Sequence, residues 1–361
     1  MWAARGYQAW AIAPLPPVPA AWLGARVLHR VGHVMPSGLH RTPAKRWLIG
    51  GLAAVVSLPI AAVASGIGVS GQQAFPSGAP GAQLPIIREA RYVVNARIRP
   101  LALFWIGRDD VGDARFTWRQ DPSGRRAYQL LVGSDPARTP RQINRWGFIA
   151  EEIHEGRAEV LGFMKGSNEE TLDAAAANAE ADQQSGTAST FKAVRTTVTG
   201  NRAVTGALTF RAPPTLTYRH LDELIGIIPS IADNRTTIQL PAGAKEGFLI
   251  AMTSMMAGST AACRQGRGSD VEPIVYLYKQ SLYDLRLVSC SFEPQLRTKS
   301  GTYPQVVNGR FELRNRATRE TTSLQLAYGT SGPIRDVPVR IVFRPRWWME
   351  AELLLDQSPE R

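Results

Sequence analysis

Alternation of apolar and polar residues with a period of two dominates the chain after Glu89 and limits it to a small set of folds. Tyr92, Val94, Ala96 and Ile98 share one face of a strand, and the polar residues Arg91, Asn95, Arg97 and Arg99 lie on the other. This pattern is typical of a strand with one buried face. Turn signals separate such segments, as in DPSG at 121–124 and in the Gly200-Asn201 pair. We therefore predict roughly a dozen strands joined mostly by short turns, in an antiparallel barrel or sandwich.

Helical patterns are in the minority, so the predicted class is mainly β, a β-rich α+β protein with two or three short helices. A capping box formed by Ser167 and Glu170 opens an alanine-rich segment with almost no apolar face. Apolar residues at helical spacing define a second helix over 221–228, which Pro229 ends. A third is predicted from Phe248 onward, where methionines share one face as core filler.

A run without charged residues begins at Trp47, and as far as Ala64 it is moderately apolar and rich in alanine. As a helix it would extend roughly 27 Å, just short of the ~30 Å apolar core of a bilayer. Basic residues precede it, and the small residues at 62–64 fit a signal-peptidase site, so we predict a cleaved signal peptide. An uncleaved inner-membrane anchor, with its N-terminus in the cytoplasm, is the alternative. Either way, the rest of the chain is expected to be exported, periplasmic or extracellular.

The chain is predicted to have three parts. Residues 1–64 form an N-terminal extension with the signal peptide or anchor, and translation could start at Met1 or at Met35. Residues 65–87 are rich in Gly, Ser and Pro and are predicted to be a flexible tether. The β-rich body spans 88–356, with one possible internal boundary at the prolines 213–214.

A net charge of +12 could indicate a protein that binds nucleic acid, but the position of the charges along the chain argues against this. Residues 1–64 hold six basic residues and no acidic one, which leaves 36 basic against 30 acidic side chains elsewhere. These are mostly interleaved and form no dense basic stripe. We therefore expect no nucleic-acid partner for the exported part.

Two cysteines, Cys263 and Cys290, both follow the predicted leader. An even number of cysteines in an exported chain predicts a disulfide, and two free buried thiols are the alternative. Two cysteines with few histidines do not make a structural zinc site. We expect no cofactor.

The STFK tetrapeptide contains Ser189 and Lys192 at the spacing of a serine nucleophile and its activating amine. It resembles the nucleophile motif of class A β-lactamases and penicillin-binding proteins. KSGT, which begins at Lys299, resembles their third motif, and ADN at 232–234 is similar to their Ser-Asp-Asn without the serine. The resemblance implies that Ser189 is the nucleophile and Lys192 its activator, with Lys299 binding a substrate carboxylate.

The residues around this tetrapeptide favour a strand rather than a helix. They are β-branched and lead into the turn at Gly200. On a strand, residues three apart point to opposite faces, so Ser189 and Lys192 would not meet. A surface hairpin is the structural alternative to the catalytic pair.

Three carboxylates, Asp109, Asp110 and Asp113, form the candidate metal site in GRDDVGD. Hard cations prefer oxygen ligands, but this spacing matches no EF-hand loop, and a solvated turn is the alternative. Beyond the leader only His154 and His220 remain, which argues against His-based triads and multi-His metal sites.

These observations favour an exported envelope protein without enzymatic activity, which binds an apolar or amphipathic ligand, an envelope component or a partner protein. Many amphipathic strands and sparse catalytic groups motivate this hypothesis. The alternative is an envelope serine or metal-dependent hydrolase. The ligand and the oligomeric state cannot be derived from the sequence, and membrane attachment would depend on the segment from Trp47 to Ala64.

Overall fold

A single antiparallel sheet of 14 strands forms the body of the protein in the computed structural model. The structure describes residues 74–98, 106–165, 177–182, 188–346 and 349–357, all within one compact unit, Gly68–Arg361. The strands are β1 (Ile86–Ile98), β2 (Ile106–Gln120), β3 (Arg126–Ser134), β4 (Trp146–His154), β5 (Arg157–Lys165), β6 (Ser189–Thr199), β7 (Arg202–Ala212), β8 (Asn234–Gln239), β9 (Ile274–Tyr278), β10 (Ser281–Arg297), β11 (Thr302–Asn315), β12 (Thr321–Gly329), β13 (Pro338–Arg346) and β14 (Met349–Leu355).

The strand order follows the chain in two halves that join in the middle. It runs β8-β7-β6-β5-β4-β3-β2-β1-β14-β13-β12-β11-β10-β9, so β1 pairs with β14 at the centre. Every other pairing joins strands that are consecutive in the sequence, because short turns connect most of them. The predicted mainly β class with antiparallel pairing is confirmed.

The two ends of the sheet approach each other. Leu277 on β9 packs with Val198 on β6 and Ala203 on β7, although these strands lie at opposite ends of the strand order. The hydroxyl of Thr205 on β7 also donates to the carbonyl of Lys279, in the turn after β9, at 3.4 Å. A sheet can make such contacts only by curling, so this unit is barrel-like. Of the two predicted architectures, one continuous curled sheet corresponds to the barrel.

A long helix, α2, lies on the inner face of this curled sheet. A shorter helix, α1 (Leu221–Gly226), precedes it, and α2 spans Phe248–Arg264. The first turn of α2 packs through Leu249 and Ile250 against β1, β2, β3 and β14, and Met255 and Met256 pack against β9 to β12. The methionines are therefore core filler, as predicted.

The outer face of β4 to β7 carries a second core. Aromatic residues of these strands pack with Leu221 and Leu224 of α1 and with Phe75. The prolines at 213–214, the predicted internal boundary, lie between β7 and α1, within the unit Gly68–Arg361.

Several predictions concern residues that the structure does not describe. The signal peptide or anchor between Trp47 and Ala64 lies outside the described residues, as do both possible start positions and residues 65–73 of the predicted tether. Phe75 and Leu84, in the described part of that segment, are buried. Of the helix predicted to open at Ser167 and Glu170, residues 177–182 are described and are helical. Among the described helices none has both the length and the apolar content needed to cross a membrane.

Candidate functional site

A cavity of about 840 Å³ lies on the inner face of the curled sheet, between β3–β6 and the turn that joins β9 to β10. Its apolar lining includes Leu130, Val132, Ile149, Val160, Met164 and Val194. Binding cavities for small molecules typically have volumes of roughly 300–1,000 Å³ and mostly apolar walls. The size and lining of this cavity fall within that description.

Strand register explains why the walls are apolar and why there is space between them. Ile149 on β4 pairs with Gly162 on β5, and Gly162 pairs with Val194 on β6, so all three positions face the cavity. A methyl group on Gly162 would have its nearest neighbour 3.9 Å away, at the Phe148 carbonyl oxygen. Gly147 is similarly open, with Met164 Cβ at 3.9 Å. The two glycines therefore leave room that larger side chains would fill.

Positive charge dominates the polar part of the lining. Four cationic side chains and one carboxylate contribute to it: Arg145, Lys165, Lys192, Lys279 and Asp182. Lys165 Nζ lies 3.0 Å from Asp182 Oδ2, which neutralises the carboxylate.

The other two lysines of the cavity have no such partner. Among the described residues no carboxylate contacts Lys192 or Lys279, and Lys279 only places its amine 5.4 Å from the centre of the Tyr278 ring. Partial desolvation lowers the pKa of Lys279. The cavity therefore combines apolar walls with two cations that no carboxylate of the described residues contacts.

Aromatic rings connect the cavity to the start of α2. Tyr278, which lines the cavity, lies 6.4 Å from Phe248 between ring centres, and Phe248 is the first residue of α2. Burial raises the pKa of Tyr278 to about 12, so its hydroxyl stays protonated at neutral pH. This hydroxyl is thus a neutral polar group beside the lysines.

Glu151, which the sequence analysis did not single out, anchors the N-terminus of α2. It is fully buried on β4, and its two carboxyl oxygens accept from the backbone N–H groups of Leu249 and Ile250 at 3.0 and 2.9 Å. These N–H groups would otherwise lack partners, because the first turn of a helix has no internal acceptors for them. Burial raises the pKa of Glu151 to about 7 despite these hydrogen bonds, and the nearby Glu246 adds to the shift.

The structure does not bring together the serine and lysine of the STFK motif. Both are on β6, as the strand alternative predicted, and they point to opposite faces because they are three residues apart. Ser189 Oγ lies 3.4 Å from Asp182, and the side chains of Ser189 and Lys192, both described, form no hydrogen bond with each other. Lys299 is in the turn between β10 and β11 and pairs with Asp109 on β2, at 2.8 Å. The catalytic roles implied by the resemblance therefore have no geometric support.

The three aspartates of GRDDVGD are likewise not arranged as a metal site. Asp109 pairs with Lys299, whereas Asp110 and Asp113 both contact the guanidinium of Arg138. A third carboxylate, Asp135, lies 3.1 Å from Arg138 Nε. No group of three or more potential metal ligands occurs in the described part of the chain. Arg138 thus occupies the position between the carboxylates where a cation would bind.

A disulfide joins Cys263, in the last turn of α2, to Cys290 on β10. It attaches the far end of the helix to the sheet, and Glu151 holds the near end. The helix is therefore fixed at both ends on the inner face of the sheet.

Comparison with known proteins gives only weak similarities. No family model matches the sequence, and no curated protein matches it. A beta-barrel-like protein of the domain of unknown function DUF1849 from Brucella abortus has a TM-score of 0.34 and 6% identity, covering 75% of this chain and 95% of that one. A candidate lipoprotein from Parabacteroides distasonis has a TM-score of 0.25 and 11% identity, covering 78% of this chain and 98% of that one. Similarities at this level carry no functional argument.

Proposed function

We propose that this chain is an exported envelope protein that acts by binding an apolar or amphipathic ligand in the cavity of its curled sheet. One observation carries the proposal: neighbouring strands place Ile149, Val160 and Val194 along the wall of a cavity of about 840 Å³. An apolar wall facing an open space is unfavourable in water, and a ligand that covers it gains the corresponding transfer free energy.

Export is the second part of the proposal. The apolar segment from Trp47 to Ala64, with basic residues before it and small residues at its end, supports export through a signal peptide or an anchor. Disulfides persist in oxidising compartments, so the pairing of Cys263 with Cys290 supports the same location. Membrane attachment through the segment 47–64 would apply if the segment is not cleaved.

Binding can be tested with the neutral fluorescent probe N-phenyl-1-naphthylamine, whose emission rises in apolar surroundings. We expect the purified full-length protein to bind it, and Gly162→Leu to weaken binding because the added side chain occupies part of the cavity. Gly226→Leu is the matched control, since Gly226 is exposed, ends α1 and would give an added methyl group no neighbour within 4 Å. Equal binding by both variants would place the probe elsewhere and refute the proposal.

Export can be tested by cell fractionation combined with thiol labelling. We expect the protein in the envelope or outside the cell, with both cysteines protected from alkylation until a reductant is added. Recovery from the cytosol with two free thiols would rule out the export half of the proposal.

A further inference from the structure

The strongest unassigned feature is the pair of lysines in the cavity wall. Lys192 is on β6, on the same face as Val194 and Thr196, because alternate residues of a strand share a face. Lys279 comes from the opposite side of the cavity, in the turn between β9 and β10. These two charges therefore come from strands at the two ends of the sheet.

Hydrogen bonds fix the position of the Lys279 backbone relative to β6. Thr196 and Thr205 share a hydrogen bond of 2.9 Å between their hydroxyls, and Thr205 also donates to the Lys279 carbonyl. The turn that carries Lys279 is thus held at the level of Thr196, and Lys192 lies four residues along β6, or roughly 13 Å. The apolar residue Val194 lies between these two levels.

This arrangement favours one class of ligand over others. The Lys279 ammonium is partly desolvated and contacts no described carboxylate, which raises the free energy of the empty site, and an anion placed beside it removes that cost. An uncharged or zwitterionic ligand of the same length would cover the apolar wall but leave the charges uncompensated. Asp182 does not compensate them, because it is paired with Lys165.

We infer that the cavity takes an amphiphile with a single aliphatic chain and one anionic headgroup. The chain lies against Ile149, Val160 and Val194, and the headgroup pairs with Lys279. This inference rests on the proposed function and adds to it the charge and shape of the ligand. A carboxylate and a phosphate headgroup share the required chemistry, and the test below distinguishes them.

The test measures displacement of N-phenyl-1-naphthylamine from the full-length protein by dodecanoate, dodecyl phosphate and dodecanol, above neutral pH. We expect one or both anions to bind about tenfold or more tightly than the alcohol, since hydrogen bonds to charged groups are the stronger ones. Preference for dodecanoate identifies a carboxylate ligand, and preference for dodecyl phosphate identifies a phosphate ligand. Either result supports the inference.

Variants localise the charge effect. The double variant Lys192→Gln with Lys279→Gln should lose the preference for anions and keep its affinity for dodecanol. Lys299→Gln is the control. It removes one positive charge from a lysine that pairs with Asp109 and lies outside the cavity lining. An equal loss in this control would assign the effect to overall charge and overturn the inference.

The outcomes separate the two proposals. If dodecanol displaces the probe as well as the anions do, the anionic ligand is refuted and the apolar cavity site stands. If the probe does not bind at all, the proposed function fails, and the inference fails with it. Unchanged anion preference in the double variant refutes only the role of the two lysines.

Discussion

Glu151 and Gly247 approach so closely that a methyl group on Gly247 would lie 2.3 Å from the carboxyl carbon of Glu151. Gly247 is the residue just before α2, and Glu151 accepts hydrogen bonds from the first turn of that helix. Only a residue without a side chain allows the carboxylate to reach those N–H groups. The position of the helix inside the sheet depends on this contact.

Substitution of Gly247 by alanine is expected to lower the free energy of unfolding by about 1–3 kcal/mol, because the added methyl group forces the buried carboxylate away from the helix. Urea unfolding measures the change. Gly258→Ala is the control on the same helix, since Gly258 is exposed and has open space around it. That change should raise stability by about 0.5–1 kcal/mol, because alanine is the better helix former. A similar effect of the two substitutions would contradict the close contact.

Glu151 should make stability depend on pH in the direction opposite to most carboxyl groups. Its pKa rises from 4.5 to about 7 on folding, so the folded protein holds a proton that the unfolded chain has released between these values. The contribution of Glu151 to the free energy of unfolding is therefore largest below about pH 4.5. It falls as the pH rises toward 7, with a slope of up to ~1.4 kcal/mol per pH unit.

The comparison variant is Glu151→Gln, which resembles the protonated carboxyl and cannot ionise. Unfolding midpoints of both proteins, measured from pH 4 to 8, should show a stability difference that shifts in favour of the variant as the pH rises. A constant difference across that range would show that Glu151 does not titrate as described.

Reduction of the Cys263–Cys290 disulfide should destabilise the protein by about 3–4 kcal/mol in the chain-entropy model. The bond closes a loop with a sequence separation of 27 residues, so it restricts the unfolded chain. Chemical unfolding with and without dithiothreitol measures the effect. The double variant Cys263→Ser with Cys290→Ser should match the reduced protein and be insensitive to the reductant; a residual response would point to a different source.

Replacement of Arg138 by methionine is expected to cost about 1–3 kcal/mol, since Asp110, Asp113 and Asp135 lose the cation that they share and Arg219, 2.7 Å from Asp135, only partly replaces it. Thermal unfolding at low salt measures this. Adding Asp113→Asn to the variant should recover part of the loss by removing one of the three neighbouring negative charges. A further loss instead would mean that Asp113 stabilises the fold without Arg138, through Tyr218.

Local pattern predicted the strands well, because a half-buried strand leaves a signature within a few residues. The Gly200-Asn201 turn lies where the sequence placed it, between β6 and β7. The cavity could not be predicted in this way, since its walls come from strands at both ends of the sheet. Lys192 was considered as an activator of Ser189, and its position opposite Lys279 depends on the curl of the whole sheet.

Long-range partners explain the remaining differences. Glu151 and Leu249 are 98 residues apart in the sequence, and nothing near either residue signals the contact. The aspartates of GRDDVGD were considered as metal ligands because the motif itself shows no cation for them. Their partner Arg138 lies 25 residues beyond Asp113 in the sequence. Residues 151 and 152 are adjacent on a strand and so point to opposite faces, which is the available signal that one of the two glutamates is buried.

The open ends of the sheet have a consequence for the behaviour of the protein at high concentration. An unpaired strand edge can recruit the same edge of another molecule and begin aggregation. At one end, Lys245 bonds to both sides of Tyr276, through the Val275 carbonyl and the Leu277 N–H, and so occupies the outer edge of β9. At the other end, β8 is short and mostly polar, with the sequence NRTTIQ. Lys245 covers the edge of β9, and the short, polar edge of β8 is a poor template for pairing with a second chain. We therefore expect little aggregation through the edges of this sheet.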